Sequence, residues 1–379
     1  MFTYQKTNRY FAQFADSLEP VGAEELAELG GKDIKPVYRG VYFTANPATL
    51  YRIVYQTRLS TRILAQLLRF DCHSTKYLYK TARKINWDKL FGPTTTFAID
   101  AITVNSKIKH SQYAALCLKD AIVDHFREKT GNRPNVDTDN PDLLLNLHID
   151  RNKATVSIDT SGGSLHRRGY RKETVEAPMQ ETVAAAIIRL SGWDGETPLI
   201  DPMCGSGTLL AEAYMHAAHI PAGYLRERFG LPALPDFDKQ LWEQTRKKCD
   251  NAIKKVAGKL ITGSDISKQA TKGAAVNLGM LPGGNSVHFS TRRFQDIEQI
   301  TGSTIVINPP YGIRLEKGRD MAEFIKEIGD FLKQRCTGST AFIYLGDRVL
   351  AKSVGLKATW KKPLKNGGLD GVLLKYELY

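Results

Sequence analysis

The sequence predicts an α/β protein. Its C-terminal half reads as a mostly parallel, doubly wound sheet, preceded by two smaller α+β units. Three observations carry this expectation. Strand and helix patterns alternate through the second half of the chain, as expected when helices cross over between parallel strands. The glycine-bearing turn Asp201-Pro202-Met203-Cys204-Gly205-Ser206-Gly207 lies between a strand, PLID, and a helix, LLAEAYMHAAH. Further on, Thr304 to Gly312 reads TIVINPPYG, four strand-forming residues running into Asn-Pro-Pro-Tyr.

A chain of 379 residues is long for one domain, and three units are expected, at 1–68, 69–160 and 161–379. In the first, YFAQFADSLEPVGAEELAELG starts as a strand and continues as a helix that sets Val21, Leu26 and Leu29 near one face; Gly30-Gly31 ends it. Val37 to Phe43 reads as strand, turn and strand. In the second unit FAIDAITV, LLLNLHID and ATVSIDTS are strands, and SQYAALCLKDAIVDHFREKTG is an amphipathic helix closed by Gly131. A glycine-rich and then basic connector, Ser161 to Arg171, marks the main boundary. Beyond it the predicted order is the helix ETVAAAIIRLSGW, the strand PLID, the glycine turn and its helix. The strands KLITGSD, TIVINP, STAFIYLG and GVLLKYELY follow, with helices between several of them. The proline-rich stretch PAGYLRERFGLPALPDF looks like an insertion. Ligands of such a sheet lie beyond the carboxyl ends of its strands, at a topological switch point.

Composition narrows the class. Hydrophobic residues make up 42% and charged residues 25%, as in globular proteins. No apolar run approaches the ~18 residues of a spanning helix, and the N-terminus lacks the apolar core of a signal peptide. The five cysteines are odd in number, widely spaced and free of CxxC. That pattern disfavours a disulfide framework or zinc site and fits a reducing cytoplasm. The net charge of +13 is concentrated: residues 40–135 hold 15 Lys/Arg against 6 Asp/Glu. A basic block of that size fits a polyanion such as nucleic acid, or a solvated surface that maintains solubility. Without a basic amphipathic helix or polybasic tail, a membrane surface is the poorer match.

The glycine turn has the place of a ligand cradle. Glycines permit unusual backbone angles and close approach, and free N–H groups at the helix start can meet polar groups. It is no Walker A motif, and Leu210 stands where GxGxxG would have its third glycine. A cofactor without pyrophosphate fits better. Asp265, at the end of KLITGSD, could accept from both hydroxyls of a ribose or simply cap a helix; it lies far beyond the ~20 residues of a simple βαβ unit. Asp296 is similar but weaker. In the Asn-Pro-Pro-Tyr run, Asn308 precedes a proline and is conformationally restricted, and Pro309 keeps a carbonyl but no N–H. The Asn308 side-chain oxygen and the Pro309 carbonyl could both accept from one exocyclic –NH2, with Tyr311 as a stacking face. The alternative is a proline-rich turn that closes a strand.

Arg127, Lys129 and Arg133 cluster at the end of the amphipathic helix, where they would also complement its dipole. Arg167, Arg168 and Arg171 could touch RNA phosphate or fold onto the cofactor turn. His166 reads as a polar loop residue and Cys204 as small packing. Met215, His216 and His219 lack an evident third metal ligand.

DPMCGSGT, GSDIS and INPPYG, in that order, resemble the S-adenosylmethionine-dependent amino-group methyltransferases. SLHRRGYR followed by APMQETVAAAIIRL sharpens the match to the THUMP-domain bacterial methyltransferases of the RlmL type, which modify guanine N2 in large-subunit rRNA. FAQFADSLEPVGAEELAELG and NGGLDGVLLKYEL are similar to that family too, so the resemblance covers nearly the whole chain. It implies a ferredoxin-like subdomain, a THUMP RNA-binding domain and a Rossmann-like methyltransferase domain using S-adenosyl-L-methionine and no metal. Asp201, Gly205 and Gly207 would line the methionine end of the cofactor, with Cys204, Ser206 and Thr208 in the same turn. Asp265 and its neighbour Ile266 would hold the ribose side and Asp296 the adenine amine. Asn308, Pro309, Pro310 and Tyr311 would form the catalytic corner, and Asn308 would contact the cofactor as well. Arg127, Lys129, Arg133, Arg167, Arg168 and Arg171 would contact 23S rRNA, naked or in a precursor particle. Some larger relatives carry a second methyltransferase domain, so a single modification is expected here. Two rivals stand beside this expectation: a DNA adenine-N6 methyltransferase, which shares NPPY, and an RNA-binding assembly factor without catalysis.

Overall fold

The computed structural model describes residues 1–173, 179–310 and 320–379. In chain order the elements are α1 Thr3–Thr7, β1 Arg9–Gln13, α2 Glu19–Glu28, β2 Lys32–Val37, β3 Gly40–Thr44, α3 Pro47–Gln56, β4 Arg62–Asp71, α4 Thr75–Ala82, β5 Phe97–Val104, α5 Ser111–Thr130, β6 Leu143–Asp150 and β7 Lys153–Asp159. The C-terminal half continues with α6 Glu181–Ser191, β8 Leu199–Asp201, α7 Thr208–Ala217, α8 Lys239–Asp250, β9 Ile261–Asp265, α9 Lys268–Gly279, β10 His288–Thr291, β11 Thr304–Ile307, α10 Met321–Arg335, β12 Thr340–Leu345, β13 Trp360–Asn366 and β14 Leu369–Glu377.

Local chemistry sets the helix ends. Asn46, Asp238, Ser267 and Asp320 each accept a first-turn backbone N–H through their side chains, opening α3, α8, α9 and α10. Gly131, at φ +72°, closes α5 in the left-handed conformation that a side chain would disfavour.

The N-terminal strands form one seven-stranded sheet in the order β2-β3-β1-β4-β7-β6-β5. Only β5 and β6 pair in parallel within it. The long strand β4 joins its halves, pairing β1 on one side and β7 on the other. The division expected at 68/69 therefore falls inside β4, and the first two units share a sheet. The second sheet has the order β10-β9-β8-β11-β12-β14-β13. Its strands β10 to β12 are parallel, and β14 runs antiparallel between β12 and β13. This is the doubly wound sheet the alternation predicts, with a hairpin at one edge.

The proline-rich insertion fastens the two halves together. Tyr51 and Tyr55 of α3 pack on Phe229, Phe237 and Trp242, with ring centroids 5.6 to 6.0 Å apart. The Tyr55 hydroxyl donates to Asp250 (2.8 Å) and the Tyr4 hydroxyl to Asp236 (2.6 Å). A buried ionic cluster lies between the same halves. Glu212 of α7 accepts from Arg168 Nε (3.3 Å) and the Tyr170 hydroxyl (3.2 Å), with Arg58 Nη1 4.0 Å away. Arg168 also donates to the carbonyls of Leu165 and Arg58. Removing one member of such a cluster leaves a buried charge without compensation, at a cost of about 3–5 kcal/mol.

Candidate functional site

Three neighbouring parallel strands, β9, β8 and β11, build the site at their carboxyl ends. Register defines its shape. Gly263 of β9 is level with Asp201, the last residue of β8, and Ile305 of β11 is level with Ile200. Asp265 and Asn308 therefore each stand two residues beyond the end of β8, on opposite sides of it. At the usual strand spacing their backbones are roughly 10 Å apart. The glycine turn fills the space above β8.

That turn leans on the β9 side. Cys204 N donates to the Ser264 carbonyl (2.9 Å) and Gly205 N to Asp265 Oδ2 (2.9 Å). Gly205 and Gly207 have φ of +52° and +79°, and a Cβ on Gly207 would come within 3.0 Å of the Ala274 Cβ. Both positions thus favour glycine, Gly207 for space as well as for angle. Asp201 is 1% exposed and its Oδ1 accepts from Met203 N (3.0 Å), so its side chain braces the turn. Burial pushes its carboxyl up to about 8, and neighbouring Asp265 adds to the rise. Burial likewise raises the Cys204 thiol well above its ordinary range, which suits packing and not nucleophilic attack. Ser206 and Thr208 are buried. Asp265 accepts from Ser267 N through its other oxygen (2.9 Å) and remains partly exposed. Ile266 is 68% exposed, an apolar side chain offered at the strand end. Asp296 is exposed at the end of the short turn Phe294–Asp296.

The β11 side differs. Asn308 directly follows the buried strand residues Ile305 to Ile307, and its Oδ1 is buried with no hydrogen-bond partner among the described residues. Pro309 is buried and Pro310 half-buried. Tyr311 lies outside the described residues. A buried acceptor left unpaired costs about 1–3 kcal/mol unless a ligand or water satisfies it.

The expected RNA contacts separate into four placements. Arg127, Arg133, Pro93, Thr94, Gly131 and Asn132 line an open hollow of about 590 Å3. Arg127 is exposed and paired with Asp124 (3.1 Å), while Lys129 is bound to Asp88. Arg167 is exposed. Arg168 requires correction: it is 1% exposed, and its guanidinium is held by Glu212 and two carbonyls, out of reach of RNA. Arg171 folds onto the glycine turn, the second alternative for this segment. Its Nη2 donates to Thr208 Oγ1 (3.2 Å) and its Nε to Glu181 (3.2 Å). His166 is held near 4 by burial and by the neighbouring arginines, and is neutral at pH 7.

Sequence reasoning passed over Asn277. This residue is 1% exposed; its Nδ2 donates to the Ser206 carbonyl (3.0 Å) and its Oδ1 accepts from Lys172 and Glu173 N–H groups (2.8 and 2.9 Å). It ties the connector to the glycine turn. The available signal was a polar side chain on the same helical face as Ala270, Ala274 and Leu278, and the lone carboxylate Glu212 in an apolar helix is a parallel case. Among the described residues no cluster of three or more His, Cys, Asp or Glu could hold a metal, and no helix is long and apolar enough to cross a membrane.

Comparison with known proteins agrees with this architecture. The RlmL ferredoxin-like domain model matches residues 9–64, the THUMP domain model residues 72–159, and the RMKL-like methyltransferase domain model residues 168–375. A Synechocystis protein named as an RNA methyltransferase is 39% identical over 98% of this chain and 97% of its own length. The ribosomal RNA large subunit methyltransferase K/L of Photobacterium profundum is 37% identical over 97% of this chain, which spans only 53% of that longer relative. A crystal structure described as a methyltransferase complexed with SAH superposes with a TM-score of 0.85 at 27% identity, covering 98% of both chains. The chain belongs to the RMKL-like methyltransferase family, with ferredoxin-like and THUMP domains ahead of its methyltransferase domain.

Proposed function

We propose that this protein methylates the exocyclic N2 of a guanine in 23S rRNA, using S-adenosyl-L-methionine, in the cytoplasm. The carrying observation is the buried, unpaired Oδ1 of Asn308, level with Asp265 across the glycine turn. The residues fit the cofactor. The Gly205–Gly207 turn allows close approach to its methionine part, Asp265 keeps lone pairs for the ribose hydroxyls, and Ile266 and Asp296 are exposed for the adenine. When bound, the cofactor supplies an electrophilic methyl on a sulfonium.

The corner does the rest. Asn308 Oδ1 and the Pro309 carbonyl each accept one hydrogen of the target amine. With both hydrogens engaged, the nitrogen lone pair is directed outward, and the Asn308 dipole stabilises the positive charge that grows on nitrogen. Holding the reactants in this geometry accounts for most of the acceleration, up to ~7–11 kcal/mol. Tyr311 provides the stacking face for the extruded base. The hollow at Arg127 and Arg133, with exposed Arg167, engages the phosphate backbone.

The names of the Synechocystis and Photobacterium relatives support RNA, and large-subunit rRNA, as the substrate class. The choice of guanine N2 rests on the resemblance of the motifs. Mass spectrometry of rRNA nucleosides from a strain lacking the protein tests it. Loss of one N2-methylguanosine, mapped to 23S rRNA, is expected; unchanged N2-methylguanosine overturns the reading.

A further inference from the structure

We infer that Arg171 holds the carboxylate of the cofactor's methionine portion, a role that rests on the proposed use of S-adenosylmethionine. The guanidinium is almost fully engaged by protein. Nε donates to Glu181 Oε1 (3.2 Å), and Nη2 donates to the Met179 carbonyl (2.9 Å) and to Thr208 Oγ1 (3.2 Å). Nη1 is buried and has no partner. The hydroxyl of Thr182, one residue beyond Glu181 in sequence, is also buried without a partner among the described residues, and Thr182 is 1% exposed.

Thr208 locates this orphaned nitrogen. It is the first residue of α7, directly after left-handed Gly207, at a helix start with no side-chain cap. Arg171 thus brings a cation to the end of the turn expected to cradle the amino-acid part of the cofactor. The carboxylate is the one anionic group on that ligand, and guanidinium nitrogens suit it. RNA phosphate, carried on a chain that stays at the protein surface, does not fit a side chain only 13% exposed. Arg171 also belongs to the connector whose Arg168 and Tyr170 lock onto Glu212. One short segment therefore fixes the domain junction and reaches the cofactor.

The test is calorimetry on the full chain with two probes. S-adenosylhomocysteine carries the amino-acid tail, and 5′-methylthioadenosine lacks it. For Arg171→Gln, affinity for S-adenosylhomocysteine should fall roughly ten- to hundred-fold, as for loss of a charged hydrogen bond. Affinity for methylthioadenosine should change less than about twofold. Arg171→Lys, which keeps the charge without the fork, should fall between. Equal losses for both probes would make Arg171 a structural strut only and overturn the inference, as would no loss. If circular dichroism shows the Gln variant unfolded, the Lys variant decides by the same selectivity. Wild-type protein that binds neither probe would instead overturn the proposed cofactor, and this role with it.

Discussion

The two flanks of the glycine turn are finished to different degrees. Toward β9, the turn is closed by protein: Cys204 and Gly205 bond to Ser264 and Asp265, and Asn277 secures Ser206. Toward β11, Asn308 presents a buried oxygen that no described residue satisfies. The contrast separates two tasks. The β9 flank is pre-organised, so its binding geometry costs little to assemble. Among the described residues the β11 flank offers that oxygen no donor, and on the proposed reading an amine that enters it removes a standing penalty.

The sharpest way to break this contrast is Asn308→Ala. Methyl transfer to rRNA should fall by about 10²–10³-fold or more, as when a charge-stabilising group is removed, while S-adenosylhomocysteine affinity stays nearly constant. Equal loss of cofactor binding in calorimetry would place Asn308 on the wrong flank. Next in size is Glu212→Ala, which strips the carboxylate from Arg58, Arg168 and Tyr170. Thermal melts should report a loss of about 3–5 kcal/mol; a change within error would mean that the junction is held elsewhere. Asn277→Ala acts on the β9 flank and on the connector tied to it. It should cost about 1–3 kcal/mol in denaturant unfolding and weaken the cofactor more than the RNA; the opposite order would detach Asn277 from the turn. Arg133→Gln should reduce RNA affinity uniformly and lower the slope of log K against log salt by about one, leaving S-adenosylhomocysteine binding untouched.

A pH dependence at Asp201 tests the bracing of the turn separately. Its folded carboxyl titrates near 8, above the ordinary value of 3.8. The native state therefore holds the proton that the unfolded chain loses, and stability falls as pH rises from about 4 to about 8. Asp201→Asn keeps an acceptor for Met203 N and removes this slope. Urea midpoints for both proteins across that range would check it; parallel curves would show that Asp201 titrates normally.

Much of this fold is written in local signals. The helix α5 shows its period and its closing Gly131, and β8, β9 and β11 are short apolar runs ending in turn residues. The turn and the Asn308 corner are legible because glycine angles and prolyl restriction are properties of the residues themselves. Pairing is not local. That β4 unites the two N-terminal units, and that β13 and β14 form an edge hairpin, depends on partners distant in sequence. The same limit misplaced Arg168. Its basic neighbours look like a phosphate contact, but Glu212, 44 residues on, draws it into the interior. Charge patterning counts charges and does not report which of them find a buried partner.

The central claim is that the Asn308 corner receives a purine amino group beside the cofactor. The most direct measurement is nucleoside mass spectrometry of 23S rRNA incubated with purified protein and isotopically labelled S-adenosylmethionine. Label in N2-methylguanosine with the wild type, and none with Asn308→Ala at equal cofactor occupancy, is the expected result. Label confined to N6-methyladenosine, or equal labelling by the variant, would contradict it.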